Sequence, residues 1–443
     1  MSQPAASRIL SHAFGGISGR AAAAIFATLN ILLLALVLEP RDYGIYLLFI
    51  RTISLVTLLG DLGQGQSAMA HFSLFAAVDR RLLGKFARIV LVSSAVTCLV
   101  AAILLLGARE TLVPDLPPAL LWLLVATIPA TIFANVWSGV MVGAGHIWPL
   151  NIVRAITGAL FLLGTLIFVV LLDGGLAAAL LAYCGVTLIQ AAAMLALARY
   201  HSGEGAAPQP STRELIHFGL RSHANAVFYL IWTTLPLFVL TAYYGPAAAG
   251  VFGLGTQIVD KLMLPAHALH EAVYQRLRHL SREDAALEAA VYAASIFAVA
   301  AATSLVMAPL VYWVMPALLG EAYQAIGPAS LLLLAGLPFM SALLLLDPYF
   351  VNALQRPGLA SWLGAGQVVI VAALSALIIP VSGIVGAAAS LVLAQAIGLA
   401  VALLVVKRLS GLGWPSLAAA VATAARNGPA HVRQLALRRG QQS

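Results

Sequence analysis

Twelve apolar runs follow one another along this chain with only short polar breaks between them. They lie near Ser11–Leu38, Tyr43–Phe72, Leu82–Gly107, Pro117–Val142, Trp148–Leu172, Gly174–Ala198, Leu215–Tyr243, Ala247–Tyr274, Leu287–Val314, Ala325–Ala353, Leu359–Pro380 and Gly383–Val406. A helix crossing a bilayer core needs about 20 apolar residues, and every run is long enough. The 443 residues are 62% hydrophobic and 9% charged. A soluble domain carries about 25% charged residues. The expected fold is therefore an all-α polytopic membrane protein. Met1–Ser11 is polar and the first apolar run is long enough to span, so no cleavable signal peptide is expected.

Charge in the breaks sets the orientation. Arg80, Arg81, Lys85 and Arg88 follow the second run, and Arg199 and Arg213 flank the break after the sixth. Arg276, Arg278 and Arg282 follow the eighth, Arg356 the tenth, and Lys407, Arg408, Arg426, Arg433, Arg438 and Arg439 fill the tail. The opposite breaks hold Arg41 and Arg109 among Glu39, Asp42, Glu110, Asp115, Asp173 and Glu321. Cytoplasmic loops collect Lys and Arg, so both termini are expected in the cytoplasm. The same rule accounts for most of the net charge of +8, and no nucleic-acid partner follows from it. Cys98 and Cys184 both lie in apolar runs and read as small core residues rather than a disulfide pair.

The stretch from Tyr200 to Thr212 is rich in Gly, Pro and Ser, the composition of a connector. It divides the chain into an expected first lobe (residues 1–199), a cytoplasmic linker (200–213), a second lobe (214–407) and a basic tail (408–443). Each lobe holds six runs. Phe14-Gly15 with Ser18 is echoed by Phe218-Gly219 with Ser222, and Tyr43-Gly44-Ile45-Tyr46 by Ala249-Gly250-Val251-Phe252. Asp173-Gly-Gly-Leu-Ala-Ala-Ala179 is echoed by Val381-Ser-Gly-Ile-Val-Gly-Ala387. An even number of spans per half makes the expected repeats parallel, related by an axis along the membrane normal. In the tail, Trp414-Pro415-Ser416 can begin a short interfacial helix running through Arg426.

Charges inside the runs carry the functional reading. The second run reads as one long helix, on which Arg51, Ser54, Leu58, Asp61 and Gly65 share a face. Gln257, Asp260, Leu264, His267 and Glu271 take the matching places in the eighth. A charge at mid-span costs roughly 2.5–3.5 kcal/mol, so such faces are expected to line an aqueous passage. The candidate cations are Arg20, Arg51 and Lys261, with Arg154 and Arg221 nearer the inner ends, where long side chains snorkel. The buried acids are expected to be Asp61, Asp260 and Asp347, either as ion-pair partners, for example Arg20 with Asp61, or as coupling sites for a proton or sodium. Three cations against three acids is neutral. Arg154, Arg221, His217, His223 and His267 then decide whether the cavity is cationic and suits a phosphate-bearing ligand. Pro129 and Pro236 sit inside runs and are expected to kink them.

No catalytic arrangement is visible, and no metal or cofactor is expected. Gly84-Lys85-Phe86 lacks the remainder of a phosphate-binding loop, and His267 and His270 have no further ligand to complete a metal set. The outer breaks are too short to hold an active site.

Leu38-Glu-Pro-Arg-Asp-Tyr-Gly-Ile-Tyr, followed by Leu59-Gly-Asp-Leu-Gly-Gln, resembles the start of the polysaccharide transporter proteins. These are the O-antigen and exopolysaccharide flippases of the multidrug/oligosaccharidyl-lipid/polysaccharide exporter superfamily. The likeness extends over both six-run halves and the linker. It implies a pair of helix bundles working by alternating access in a bacterial inner membrane. The implied cargo is an undecaprenyl-pyrophosphate-linked oligosaccharide, with membrane lipids and a polysaccharide polymerase or export machinery as partners. Cavities in the family are lined by cations on the first, second, seventh and eighth helices. Here Arg20, Arg51, Arg221 and Lys261 stand on those runs, with Gln257 beside them. The rival readings are a cation-coupled multidrug exporter, a membrane-embedded glycan polymerase or ligase, and a non-transporting scaffold. The fourteen-helix peptidoglycan-precursor flippase fits twelve runs less well.

Overall fold

A computed structural model describes residues 22–73, 78–112, 115–203, 210–277 and 280–427. Apart from a two-stranded pairing of two residues each, the regular structure is helical. The helices are α1 (Ala22–Val37), α2 (Pro40–Asp61), α3 (Gln64–Phe72), α4 (Arg80–Leu112), α5 (Pro118–Gly143), α6 (Ile147–Gly164) and α7 (Gly175–Tyr200). They continue with α8 (Thr212–Leu262), α9 (Leu264–Leu277), α10 (Arg282–Pro309), α11 (Met315–Leu319), α12 (Ile326–Pro348), α13 (Pro357–Ser410) and α14 (Trp414–Asn427). Among the described residues, nine helices are long and apolar enough to cross a membrane.

Two of those nine are hairpins. In α8 the backbone leaves helical geometry at Gly245, and in α13 at Gly383. A Cβ on Gly253 would lie 3.5 Å from Leu237, although sixteen residues of straight helix span about 24 Å. Gly398 likewise packs on the side chain of Gln367, thirty-one residues earlier. The two arms of each helix therefore run antiparallel. Counted by arm, the nine become eleven apolar segments, with the shorter apolar helix α1 beside them. In α8 the backbone angles stay helical through Pro236, and the chain turns nine residues later, at the glycine that precedes Pro246. A residue before proline is pushed out of the helical region, and glycine leaves it most cheaply.

The chain forms two compact units, Met1–Leu254 and Gly255–Ser443. In the first, α5 packs against α2, α3, α4, α6 and α7. In the second, α12 packs against α9, α10 and α13. These two central helices are the fourth and tenth runs, six apart, and each carries an internal proline, Pro129 and Pro338. The outward faces stay apolar, as lipid requires: Leu91, Val96, Leu99, Ile103 and Leu106 are all exposed on α4. In the first unit α3 seats on α5 through a Gly-x-x-x-Gly pair. A side chain at Gly139 would overlap the carbonyl of Gly65, and one at Gly143 that of Met69.

Contacts in the first unit sort its loops into two sets. Arg41, at the start of α2, pairs with Asp115, just before α5, at 2.9 Å. On the other side, Val78–Asp79 pairs in parallel with Ser202–Gly203, and Lys85 donates to the Pro210 carbonyl at 2.7 Å. His146 stacks on His201, and burial together with that neighbour holds the His146 pKa below the ordinary histidine value. Both described ends of the connector are thus tied to the first unit. Ser211 and Glu214 close a reciprocal capping box at the start of α8. In the second unit Arg276 holds Glu288 through two hydrogen bonds, at 2.6 and 2.9 Å. There α14 packs along α10, and Lys407 lies over the Trp414 ring.

The internal repeat has a physical counterpart. A Cβ on Gly44 would overlap the Pro246 carbonyl, and one on Gly250 would overlap that of Pro40. Pro40 and Pro246 are 206 positions apart, and so are Gly44 and Gly250. Residue i meets j′ and j meets i′, which is the signature of a two-fold contact.

Candidate functional site

The second run is not one helix. α2 ends at Asp61, Leu62 and Gly63 both take left-handed conformations (φ 53° and 71°), and α3 starts afresh at Gln64. The single polar face expected from Arg51 to Gly65 is therefore divided, and Gly65 belongs to the next helix. Left-handed backbone is costly for leucine and natural for glycine, so the chain stops where Leu-Gly follows Asp61. The eighth run also breaks, five residues before the position that the 206-residue offset gives. α8 ends at Leu262 and α9 begins at Leu264, which separates Gln257 and Asp260 from His267 and Glu271.

A helix end leaves backbone groups without intrahelical partners, and at the first break side chains take them up. Asp61 Oδ1 accepts from the Gly65 amide at 3.2 Å, on the first turn of α3. His223 Nε2 donates to the Leu58 carbonyl at 2.6 Å, in the last turn of α2. Ser67 Oγ donates to the Leu215 carbonyl at 2.9 Å. Between them Gly219 lies so close to Leu62 and Gly63 that a side chain would overlap them. Leu215, Gly219 and His223 are spaced by four, so one stripe of α8 grips the whole break. Gln64 is fully buried; its amide nitrogen donates to the Leu62 carbonyl at 3.3 Å and its Oε1 has no partner among the described residues.

The expected site residues divide as follows. Arg20 lies outside the described residues. Arg51 is half-buried on α2, ten residues before Asp61, which is buried (7% exposed). Arg221 stands on α8 between Gly219 and His223 but is exposed. Gln257 and Lys261 are half-buried in the last turns of α8. Asp260 was expected to be buried and is exposed. Asp347 is half-buried near the end of α12, 3.9 Å from His270 on α9. The structure thus joins Asp61 to the helix of Arg221 and pairs Asp347 with a histidine that the sequence pattern left unassigned. His223, Gln64 and the two break glycines were also missed as a group. Their signal was the Asp-Leu-Gly-Gln order, in which a glycine follows a helix end.

The fold is one shared with solved membrane transporters. It matches a multidrug resistance MATE family transporter of the MOP superfamily in an outward-facing conformation (TM-score 0.61, 17% identity, 89% of this chain and 95% of that one). It also matches the lipid II flippase MurJ in an inward closed conformation (TM-score 0.68, 11% identity, 91% and 90%). A MOP superfamily transporter from Pyrococcus furiosus, described as having a binding pocket of reverse polarity, matches as well (TM-score 0.63, 14% identity, 91% and 95%). No curated relative matches the sequence. The profile of the family described as polysaccharide biosynthesis protein covers residues 11–265, more than half of the chain. The chain belongs to that family.

Proposed function

We propose that this protein is a flippase that carries an undecaprenyl-pyrophosphate-linked oligosaccharide from the cytoplasmic to the outer leaflet of a bacterial inner membrane, by alternating access. The observation that carries this reading is the family match over residues 11–265, on a fold shared with a lipid II flippase. Neither a glycan nor a pyrophosphate crosses hydrocarbon unaided, and a polar passage removes that cost without covalent chemistry. Arg20, Arg51, Arg221 and Lys261 are the proposed contacts to the pyrophosphate, with Gln257 contacting the sugar. Asp260 and Asp347 remain coupling candidates beside Asp61.

In this reading residues 1–199 and 214–407 are two six-span lobes, joined by the 200–213 linker and followed by the 408–443 tail, with both termini cytoplasmic. The reciprocal seat of Gly44 on Gly250 explains why the first turns of the eighth span group with the first compact unit. A polysaccharide polymerase is the partner expected to receive the delivered glycan.

The test is transport of a fluorescent short-chain polyprenyl-pyrophosphate oligosaccharide by the full chain in inverted vesicles. Arg51→Ala is expected to lower transport about ten- to hundredfold, the loss of charge-assisted hydrogen bonds to phosphate, with normal membrane levels. Unchanged transport would remove Arg51 from the site. The likeness to multidrug transporters supports a second reading. Under it, cells would gain resistance to cationic drugs and the labelled glycan would stay where it started.

A further inference from the structure

Three stretches of the first unit meet at one corner. Val78–Asp79 pairs with Ser202–Gly203, so the start of α4 lies against the end of α7. Lys85 reaches the Pro210 carbonyl, 125 positions away, at 2.7 Å, which brings in the start of α8. The arginines these ties collect, Arg80, Arg81, Arg88, Arg199 and Arg213, are all exposed. Residues 73–90 and 199–214 hold six cations against three acids. Two of those acids are turned to helix starts: buried Asp79 accepts from the Arg81 and Leu82 amides, and Glu214 from the Ser211 amide. The third, Glu204, is the one acid of the chain outside the described residues, so the corner stays cationic wherever it lies.

Two further observations set the depth of this corner and what it faces. Arg81 and Arg88 fall in line with Val92, Val96, Leu99, Ile103 and Leu106, at successive steps of seven, four, four, three, four and three. Those apolar residues are exposed on a helix long enough to cross the membrane, so the stripe faces acyl chains and the arginines stand at its headgroup end. Tyr200, 83% exposed, ends α7, and Trp148, 43% exposed, stands two residues after the His146 that stacks on His201. Such aromatic side chains collect at the boundary of membrane and water. A charge that only orients a span has to lie in an inner loop, and needs no assembly of this kind.

We propose that the corner binds an acidic phospholipid of the surrounding bilayer, its phosphate on Arg81 and Arg88 with Arg199 alongside, and its acyl chains along the α4 stripe. A guanidinium holds a phosphodiester through two parallel hydrogen bonds, and the low dielectric at the edge of hydrocarbon strengthens each pair. A zwitterionic lipid brings its own cation and loses that gain. The site is separate from the proposed pyrophosphate contacts and does not rest on the flippase reading.

The test is equilibrium binding of phosphatidylglycerol, labelled with a fluorophore on one acyl chain, to the purified full chain in a neutral detergent, read by anisotropy. Unlabelled short-chain phosphatidylglycerol is expected to compete, and phosphatidylcholine with the same chains to compete about tenfold less well. Arg81→Gln with Arg88→Gln should weaken binding about tenfold to thirtyfold, the scale of two cations at a membrane surface, and Arg199→Gln about fivefold. Arg356→Gln with Arg408→Gln, which removes the same charge from the second unit, should leave binding unchanged. Equal competition by the two headgroups in the unmodified protein overturns the proposal without recourse to any variant. Equal weakening by the second pair overturns it too, since the effect would then be one of net charge. Displacement by inorganic pyrophosphate where phosphatidylglycerol fails would assign the corner to a soluble phosphate and overturn it as well. Binding is read without glycan, so a negative result leaves the flippase reading standing, and failed glycan transport leaves this site standing.

Discussion

His223 shows how one side chain can hold a break open in a membrane helix. The Leu58 carbonyl has lost its helical partner because the chain turns at Leu62, and in a dry interior an unanswered carbonyl is costly. The imidazole answers it from a neighbouring helix, with Gly219 giving the close approach. His223→Ala should therefore destabilise the protein by about 1–2 kcal/mol, while His223→Gln, which keeps a donor of similar reach, should lose less. Thermal unfolding in detergent followed by tryptophan fluorescence checks the order. Equal losses would show that the imidazole acts by filling space. From sequence, His223 was legible only as one of the groups that decide whether the cavity is cationic. Its donor role depends on a carbonyl that exists as an acceptor only because the partner helix stops, and helical spacing cannot show that.

Between helices the decisive contact is backbone on backbone. Gly44 and Gly250 meet with no room for a methyl group, each against the carbonyl that precedes the other by four residues. Gly44→Ala and Gly250→Ala should each cost about 1–3 kcal/mol, since the helices must part. The double variant should cost clearly less than the sum, because a joint already parted accommodates the second methyl. A double-mutant cycle in unfolding free energy measures this, and strict additivity would deny that the two glycines share one joint. The repeat was legible because it is written in residue identities at one offset. The hairpin at Gly245 was nearly so, since Tyr243 and Ala247 already bounded a pause. The break after Asp61 was not, because hydropathy does not register a left-handed φ. Asp260 was misplaced for a related reason: periodicity says which residues share a face, and the packing of neighbours decides whether that face is covered.

Across the chain, the loop contacts and the loop charges make the same division independently. Arg41–Asp115 ties two breaks of one set, and the 78–79 pairing with 202–203, Lys85 with Pro210, and His146 with His201 tie the other. The second set carries Arg80, Arg81, Lys85, Arg88, Arg199 and Arg213. Geometry alone says that the sets lie at opposite ends of the first unit's helices, and the bias of positive charge toward cytoplasmic loops then predicts a cytoplasmic basic end. Asp115 and Arg80 are both exposed, while native Cys184 is buried and Cys98 half-buried, so new cysteines at the two exposed positions report against a low background. In intact cells a membrane-impermeant maleimide should label Asp115→Cys and should reach Arg80→Cys only after permeabilisation. Labelling of both from one side would contradict the alternation of spans. The reverse pattern would invert the orientation and place the proposed pyrophosphate contacts in a protein facing the wrong leaflet for its cargo.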